Sequence, residues 1–202
     1  MLSILKKSVF FVLAFGGSLA ASGQVVPAAT SGSGLNVFVS FGGQKTHVVD
    51  LTYKSLGIDG GMYVQHSPLL GAEVRVATFP FYEHFSQSPI TGGYRAEKRV
   101  WQRYLVAGYF GGGMSKGHDI GPHPILPSSG YYVPTPSAWS PCWQASQSTA
   151  IDFGRWKWKV YEATFTDTYT PFRSISSFSL TTGVVYSFSK RRKFASDIEG
   201  DL

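Results

Sequence analysis

The stretch Ser176-Ser-Phe-Ser-Leu-Thr-Thr-Gly-Val-Val-Tyr-Ser-Phe188 alternates almost without interruption. Phe178, Leu180, Thr182, Val184, Tyr186 and Phe188 fall on one face, and Ser179, Thr181, Gly183, Val185 and Ser187 on the other. Period-two alternation is the signature of a β-strand with two unlike faces. The same pattern suits a strand lying on a soluble core and a strand whose oily face meets lipid. The rest of the chain decides between them.

Comparable stretches recur along the chain. Gly34–Thr46 sets Leu35, Val37, Val39 and Phe41 against Asn36, Phe38, Ser40 and Gly42. Leu56–Ser67 sets Ile58, Met62 and Val64 against Asp59, Gly61, Tyr63 and Gln65, and Gly71–Phe81 sets Ala72, Val74, Val76 and Thr78 against Glu73, Arg75 and Ala77. Residues 92–99 and 102–113 alternate less cleanly, and in the latter the outward set is either Tyr104, Val106 and Phe110 or Leu105, Ala107 and Tyr109. Cys142–Phe153 is polar at Gln144, Ser146, Ser148 and Asp152, and Trp156–Tyr169 opposes Tyr161, Ala163 and Phe165 to Glu162, Thr164 and Thr166. The latter breaks phase at its start, which predicts a bulge or an interfacial start near Lys157–Lys159. No stretch after the first thirty or so residues shows helical periodicity, so the chain reads as all-β with eight strands.

Lys6 and Lys7 precede the apolar run Ser8–Ala20, which ends in small residues. This is the pattern of a secretory signal peptide, residues 1–20, directing export by the Sec route. The run is short of the roughly 20 apolar residues of a spanning helix. A flexible lead-in, 21–33, then precedes a single barrel domain, 34–188, and a basic then acidic tail, 189–202. Charged residues make up only 15% of the chain and aromatics another 15%, with 23 glycines, whereas an ordinary soluble domain is about 25% charged. A single cysteine, Cys142, excludes an internal disulfide framework. The net charge of +6 owes much to the Lys190–Lys193 run, and such a tail feature is poor ground for a nucleic-acid partner.

The expected connections alternate in length. Residues 66–71, 99–102 and 154–156 are tight, while 47–55, 82–93, 114–141 and 170–177 are long. Short turns at one end and long loops at the other are the layout of an outer-membrane barrel. In hydrocarbon every backbone group must be paired within the protein, so a sheet crosses only as a closed barrel. Eight strands leave an interior that side chains can fill. The expectation is therefore an antiparallel up-and-down barrel with a lumen filled by Asp59, Tyr63, Gln65, Glu73, Arg75 and Glu162. Aromatics at strand ends, among them Trp101, Tyr104, Trp156, Trp158 and Tyr169, suit interfacial girdles. The competing reading, a soluble lipocalin-like barrel with apolar faces inward, leaves polar faces nearly devoid of Lys and Glu to keep the molecule in solution.

Gly57–Val74, Tyr109–Ser115 and Ser179–Phe188 together resemble the small bacterial outer-membrane β-barrels of the outer-membrane protein A transmembrane-domain type. The resemblance spans about Gly34 to Phe188. It implies an outer-membrane location with both mature termini periplasmic, contact with outer-membrane lipid, periplasmic chaperones and the barrel-insertion machinery, and no single activity. In that family the terminal aromatic signals insertion, a role that would fall on Phe188 with Tyr186 two residues before. The chain departs from the pattern by continuing to Leu202.

Candidate chemistry is sparse. His118, Asp119 and His123 match no familiar metal-ligand spacing, so no metal and no cofactor is expected. His47 and His84 with Ser86 or Asp50 suit a lipid-modifying enzyme by residue type, without a motif to fix them. Cys142 has no recognisable base, and Lys159 joins Glu73, Arg75 and Glu162 as either a relay or lumen filler. The long third loop carries Tyr131, Tyr132, Trp139 and Trp143, exposed rings suited to an unidentified surface ligand or to the membrane interface. A monomeric, non-enzymatic barrel acting structurally or through surface contacts is the expected function.

Overall fold

The computed structural model describes residues 34–48, 51–67, 70–82, 85–119, 139–170 and 174–188. The expected signal peptide, lead-in and tail, and with them Asp50, His84, His123, Tyr131 and Tyr132, lie outside these residues. Eight strands follow one another: β1 (Leu35–Val48), β2 (Leu51–Ser67), β3 (Leu70–Tyr82), β4 (Phe85–Trp101), β5 (Tyr104–Asp119), β6 (Trp139–Asp152), β7 (Trp156–Tyr169) and β8 (Ser174–Ser187). Each pairs antiparallel with the next, and β8 returns to β1, so the sheet is a closed barrel without edges.

The alternation resolves as outside against inside. Val74, Leu180 and Val184 are exposed, while Glu73 and Arg75 are buried. This is the reverse of a soluble barrel. In β5, where the phase was open, Tyr104 and Phe110 are exposed and Leu105, Ala107 and Tyr109 are buried. The ambiguity has a physical cause, since this strand turns apolar side chains to both sides.

Three of the expected long connections are strand instead. β1 and β2 remain paired up to Val48 and Leu51, so most of 47–55 is ladder. β3 and β4 together reach into 82–93, and β7 and β8 into 170–177. Toward the loop end outward residues turn polar, as at Lys45, His47, Thr52 and Lys54, while the inward side mixes Thr46 and Ser55 with buried Val48 and Ile175, so the alternation no longer marks a strand. Only 120–138 remains a long connection between strands. Cys142, expected at a loop-to-strand join, lies inside β6 and is buried.

The phase break in β7 is a bulge one step beyond its expected place. Tyr161 pairs with Thr149 and Lys159 with Ala150, which leaves Val160 as the extra residue. The register with β8 shifts over the same residues. In a regular strand, residues three apart face opposite sides. Here the extra residue turns both Lys159 and Glu162 inward, and both are buried.

Close strand approach needs glycine at the Gly93↔Gly111 rung. A Cβ on Gly93 would stand 2.2 Å from the Phe110 carbonyl oxygen and 2.3 Å from the Gly111 Cα. No side chain fits there without moving backbone.

Candidate functional site

The lumen holds two kinds of filling. On the terminus side of Ser40 an unbroken chain of ion pairs crosses the barrel. Arg75 on β3 donates through Nε to Glu73 Oε1 at 2.6 Å and through Nη2 to Glu162 Oε1 on β7, also at 2.6 Å. Its Nη1 stands 3.8 Å from Asp59 Oδ2 on β2. Lys159 Nζ and Ser146 Oγ donate to the same Glu162 carboxylate at 2.6 and 2.7 Å. Glu73 also accepts from Arg95 on β4 at 2.6 Å, Arg95 reaches Glu97 at 2.8 Å, and Glu97 accepts from Lys157 at 2.7 Å. Four cations thus face four carboxylates, so this part of the lumen carries no net charge.

Rings complete the packing. Lys159 Nζ lies 3.9 Å from the centre of the Phe38 ring, and the Arg95 and Arg75 guanidiniums lie 4.0 and 4.6 Å from those of Tyr63 and Tyr109. Buried charges are tolerable only when paired and hydrogen-bonded, and cation–π contacts add to that compensation. Nearer the terminal rim, Arg99 of β4 pairs with Asp152 of β6 at 2.5 Å, across the intervening β5.

On the loop side of Ser40 the filling is neutral. Gln44 is the hub, donating to Ser177 Oγ at 3.4 Å and accepting from Thr46, Ser55 and the Gln87 backbone amide at 3.2–3.4 Å. Gln144 accepts from Thr91 at 2.9 Å and donates to Thr166 at 3.1 Å. The hydroxyls of Ser115 and Thr168 have no protein partner among the described residues. Val48, Phe85 and Ile175, with Tyr53 packed against them, form an apolar cap at the loop end.

Of the six residues expected in the lumen, five meet there: Asp59, Tyr63, Glu73, Arg75 and Glu162. Gln65 is buried but stands apart, donating to the Ser67 carbonyl of its own strand. Arg95, Glu97 and Lys157 belong to the network without having been anticipated. The signal for the first two was present in the i, i+2 pairing of opposite charges, Arg95 with Glu97, which repeats that of Glu73 with Arg75.

The exterior is an apolar wall with aromatic rims. At the terminus end Trp101 stacks on Tyr104 with centroids 5.6 Å apart, and Trp156, Tyr186 and Phe188 form a row at 4.7 and 4.8 Å. Trp158 is exposed on the same rim. Toward the loop end, Trp143 packs on Phe165 at 5.3 Å and Phe110 at 6.1 Å, and its indole donates to Tyr169 Oη at 3.0 Å. Trp139 and Trp143 were expected in the third loop, yet both lie in β6, Trp139 as its first residue. Trp143 is therefore part of the wall.

Of the enzymatic candidates, His47 and Ser86 are described and share no hydrogen bond. His47 is exposed on the outer face of β1 and bonded to Thr52, whereas Ser86 is fully buried in β4 opposite His118 of β5. A nucleophile and its base must lie within hydrogen-bond reach, and the Ser86 hydroxyl has no hydrogen-bond partner among the described residues. His118 belongs to β5 rather than to a loop, and the described residues contain no group of three or more His, Cys, Asp or Glu placed to hold a metal.

No protein family and no curated protein sequence matches the chain. Among solved structures it is similar to Neisserial surface protein A (NspA), with a TM-score of 0.57, 11% identity, and coverage of 76% of this chain and 97% of that one. Outer membrane protein OprG from Pseudomonas aeruginosa is also similar, with a TM-score of 0.51, 9% identity, and coverage of 78% and 97%. The closed eight-strand order, the oily exterior and these similarities agree: the chain has the fold of the small outer-membrane β-barrels.

Proposed function

We propose that the chain is a bacterial outer-membrane barrel with both mature termini in the periplasm and a lumen closed to ions, serving a structural or surface-contact role through its loop end. The observation that carries this reading is the pairing of an apolar exterior with a lumen whose charges neutralise one another. An exposed belt that includes Val39, Phe41, Met62, Val74 and Leu180 would be a liability in water and is the required surface in lipid. Placing the termini in the periplasm rests on the turns at their end of the barrel, where β4 and β5 are separated only by 102–103 and β6 and β7 by 153–155. The segment 120–138 leaves the opposite end.

The chain acts as a monomer in this reading, inserted with the help of periplasmic chaperones and the insertion machinery. Phe188, 62% exposed at the terminus-side rim, is placed for such recognition. The test combines fractionation with gel migration of unheated against boiled samples, since a closed barrel runs compactly until heated. Current across a planar bilayer containing the purified protein should stay at the baseline of protein-free lipid. Recovery in the soluble periplasmic fraction would end the membrane reading, and steady ion conductance would end the closed-lumen reading.

A further inference from the structure

On the outer wall near the loop end, Lys45 of β1 and Lys54 of β2 are direct cross-strand partners. Both are exposed. Like charges directly opposite one another in a sheet repel, and no carboxylate relieves this pair among the described residues. Asp167 of β7, in the row of His47 through Ser176 of β8, is buried and accepts a hydrogen bond from Ser176. His47, one row nearer the loop end, adds a third nitrogen-bearing side chain.

Directly beneath the lysines the wall is dented. Gly43 lies between Leu56 of β2 and Leu180 of β8, and both leucines are exposed. A Cβ on Gly43 would meet nothing nearer than Leu56 Cδ2 at 3.6 Å. The backbone therefore does not require glycine there. Its effect is an apolar trough running down from a pair of cations that no described carboxylate relieves.

We propose that this surface binds one phosphorylated glycolipid of the outer leaflet, with a phosphate between Lys45 and Lys54 and an acyl chain in the trough at Gly43. The inference rests on the orientation proposed above, which places the loop end in the outer leaflet. A compact ammonium is a point-charge partner for phosphate. An anion between the two would turn their mutual repulsion into a shared attraction. Trough and clamp together suit an amphiphile rather than free phosphate.

The test uses full-length protein extracted from outer membranes in mild detergent, with mass spectrometry counting the phosphorylated glycolipid and the phospholipid retained per barrel. The double variant Lys45→Gln/Lys54→Gln should retain about thirtyfold less glycolipid, given roughly 1 kcal/mol per surface lysine against an anionic headgroup. Phospholipid retention should not change. Gly43→Leu, which fills the trough but keeps both charges, should also lower glycolipid retention, whereas Lys116→Gln, a loop-end lysine on β5, should not. Unchanged glycolipid in the double variant overturns the proposal, as does an equal loss of both lipids. Orientation is read separately by labelling Thr52→Cys, in a Cys142→Ser background, on intact cells with an impermeant maleimide. Labelling without a glycolipid effect refutes the clamp alone, and labelling only after permeabilisation refutes the orientation and the clamp with it.

Discussion

On the terminus side of Ser40 the lumen is filled by ions, and on the loop side by amides and hydroxyls. In the ionic part Glu73, Arg75, Glu97, Lys159 and Glu162 each contact at least one opposite charge within 2.9 Å. In the neutral part several hydroxyls go without a protein partner, and the hub bonds at Gln44 run from 3.2 to 3.4 Å. The difference follows from what an error costs. A buried charge deprived of its partner is destabilising by several kcal/mol, whereas an unpaired hydroxyl costs about 1–3 kcal/mol. Charges are therefore admitted only where strands from around the barrel hold them in one connected set.

The comparison can be broken or sharpened by substitution, scored as the denaturant midpoint of the compact gel form in micelles. The largest effect is expected from deleting Val160. This returns Lys159 to the outer face and breaks its bond to Glu162, and no compact form should be recovered. Arg75→Met leaves Glu162, Glu73 and Asp59 short of a shared cation and should cost about 3–5 kcal/mol. Gln44→Ala removes the hub of the neutral part and should cost about 1–2 kcal/mol. A loss equal to that of Arg75→Met would erase the distinction between the two halves. Ser115→Ala, which removes a buried hydroxyl with no protein partner, should fall within about 0.5 kcal/mol of the parent or stabilise it. A clear destabilisation there would mean that the neutral part is as tightly specified as the ionic one.

How much of this was legible in the sequence varies by strand. Where one face meets apolar surroundings and the other a polar lumen, as in Gly71–Phe81 and Ser176–Phe188, alternation alone assigns every side chain. It fails where that contrast disappears. Around His47–Ser55 the outward His47, Thr52 and Lys54 are polar while the inward side mixes apolar Val48 with Ser55, so the pattern that marks a strand is lost although the hairpin is paired. In β5 the inward Leu105 and Ala107 are as apolar as the outward Val106, which left the phase open. Lys157 was hidden by the Val160 bulge, because parity counted from Glu162 assigns it outward. Arg95 was missed because its strand begins with two glycines and carries only Tyr94 and Ala96 as outward markers. What no single strand records is the cross-barrel pairing, Arg75 with Glu162 among others, since this depends on how the sheet closes.

That closure has a consequence in time. The Phe188 amide donates to the Leu35 carbonyl at 2.9 Å, so the rung that zips the cylinder shut joins the outset of the first strand to the residue just past the last. Until synthesis and export have delivered that final piece, β1 presents a bare ladder with nothing of its own to satisfy it. On the reading proposed above, an insertion partner would shield this flank until the residues around Phe188 reach it.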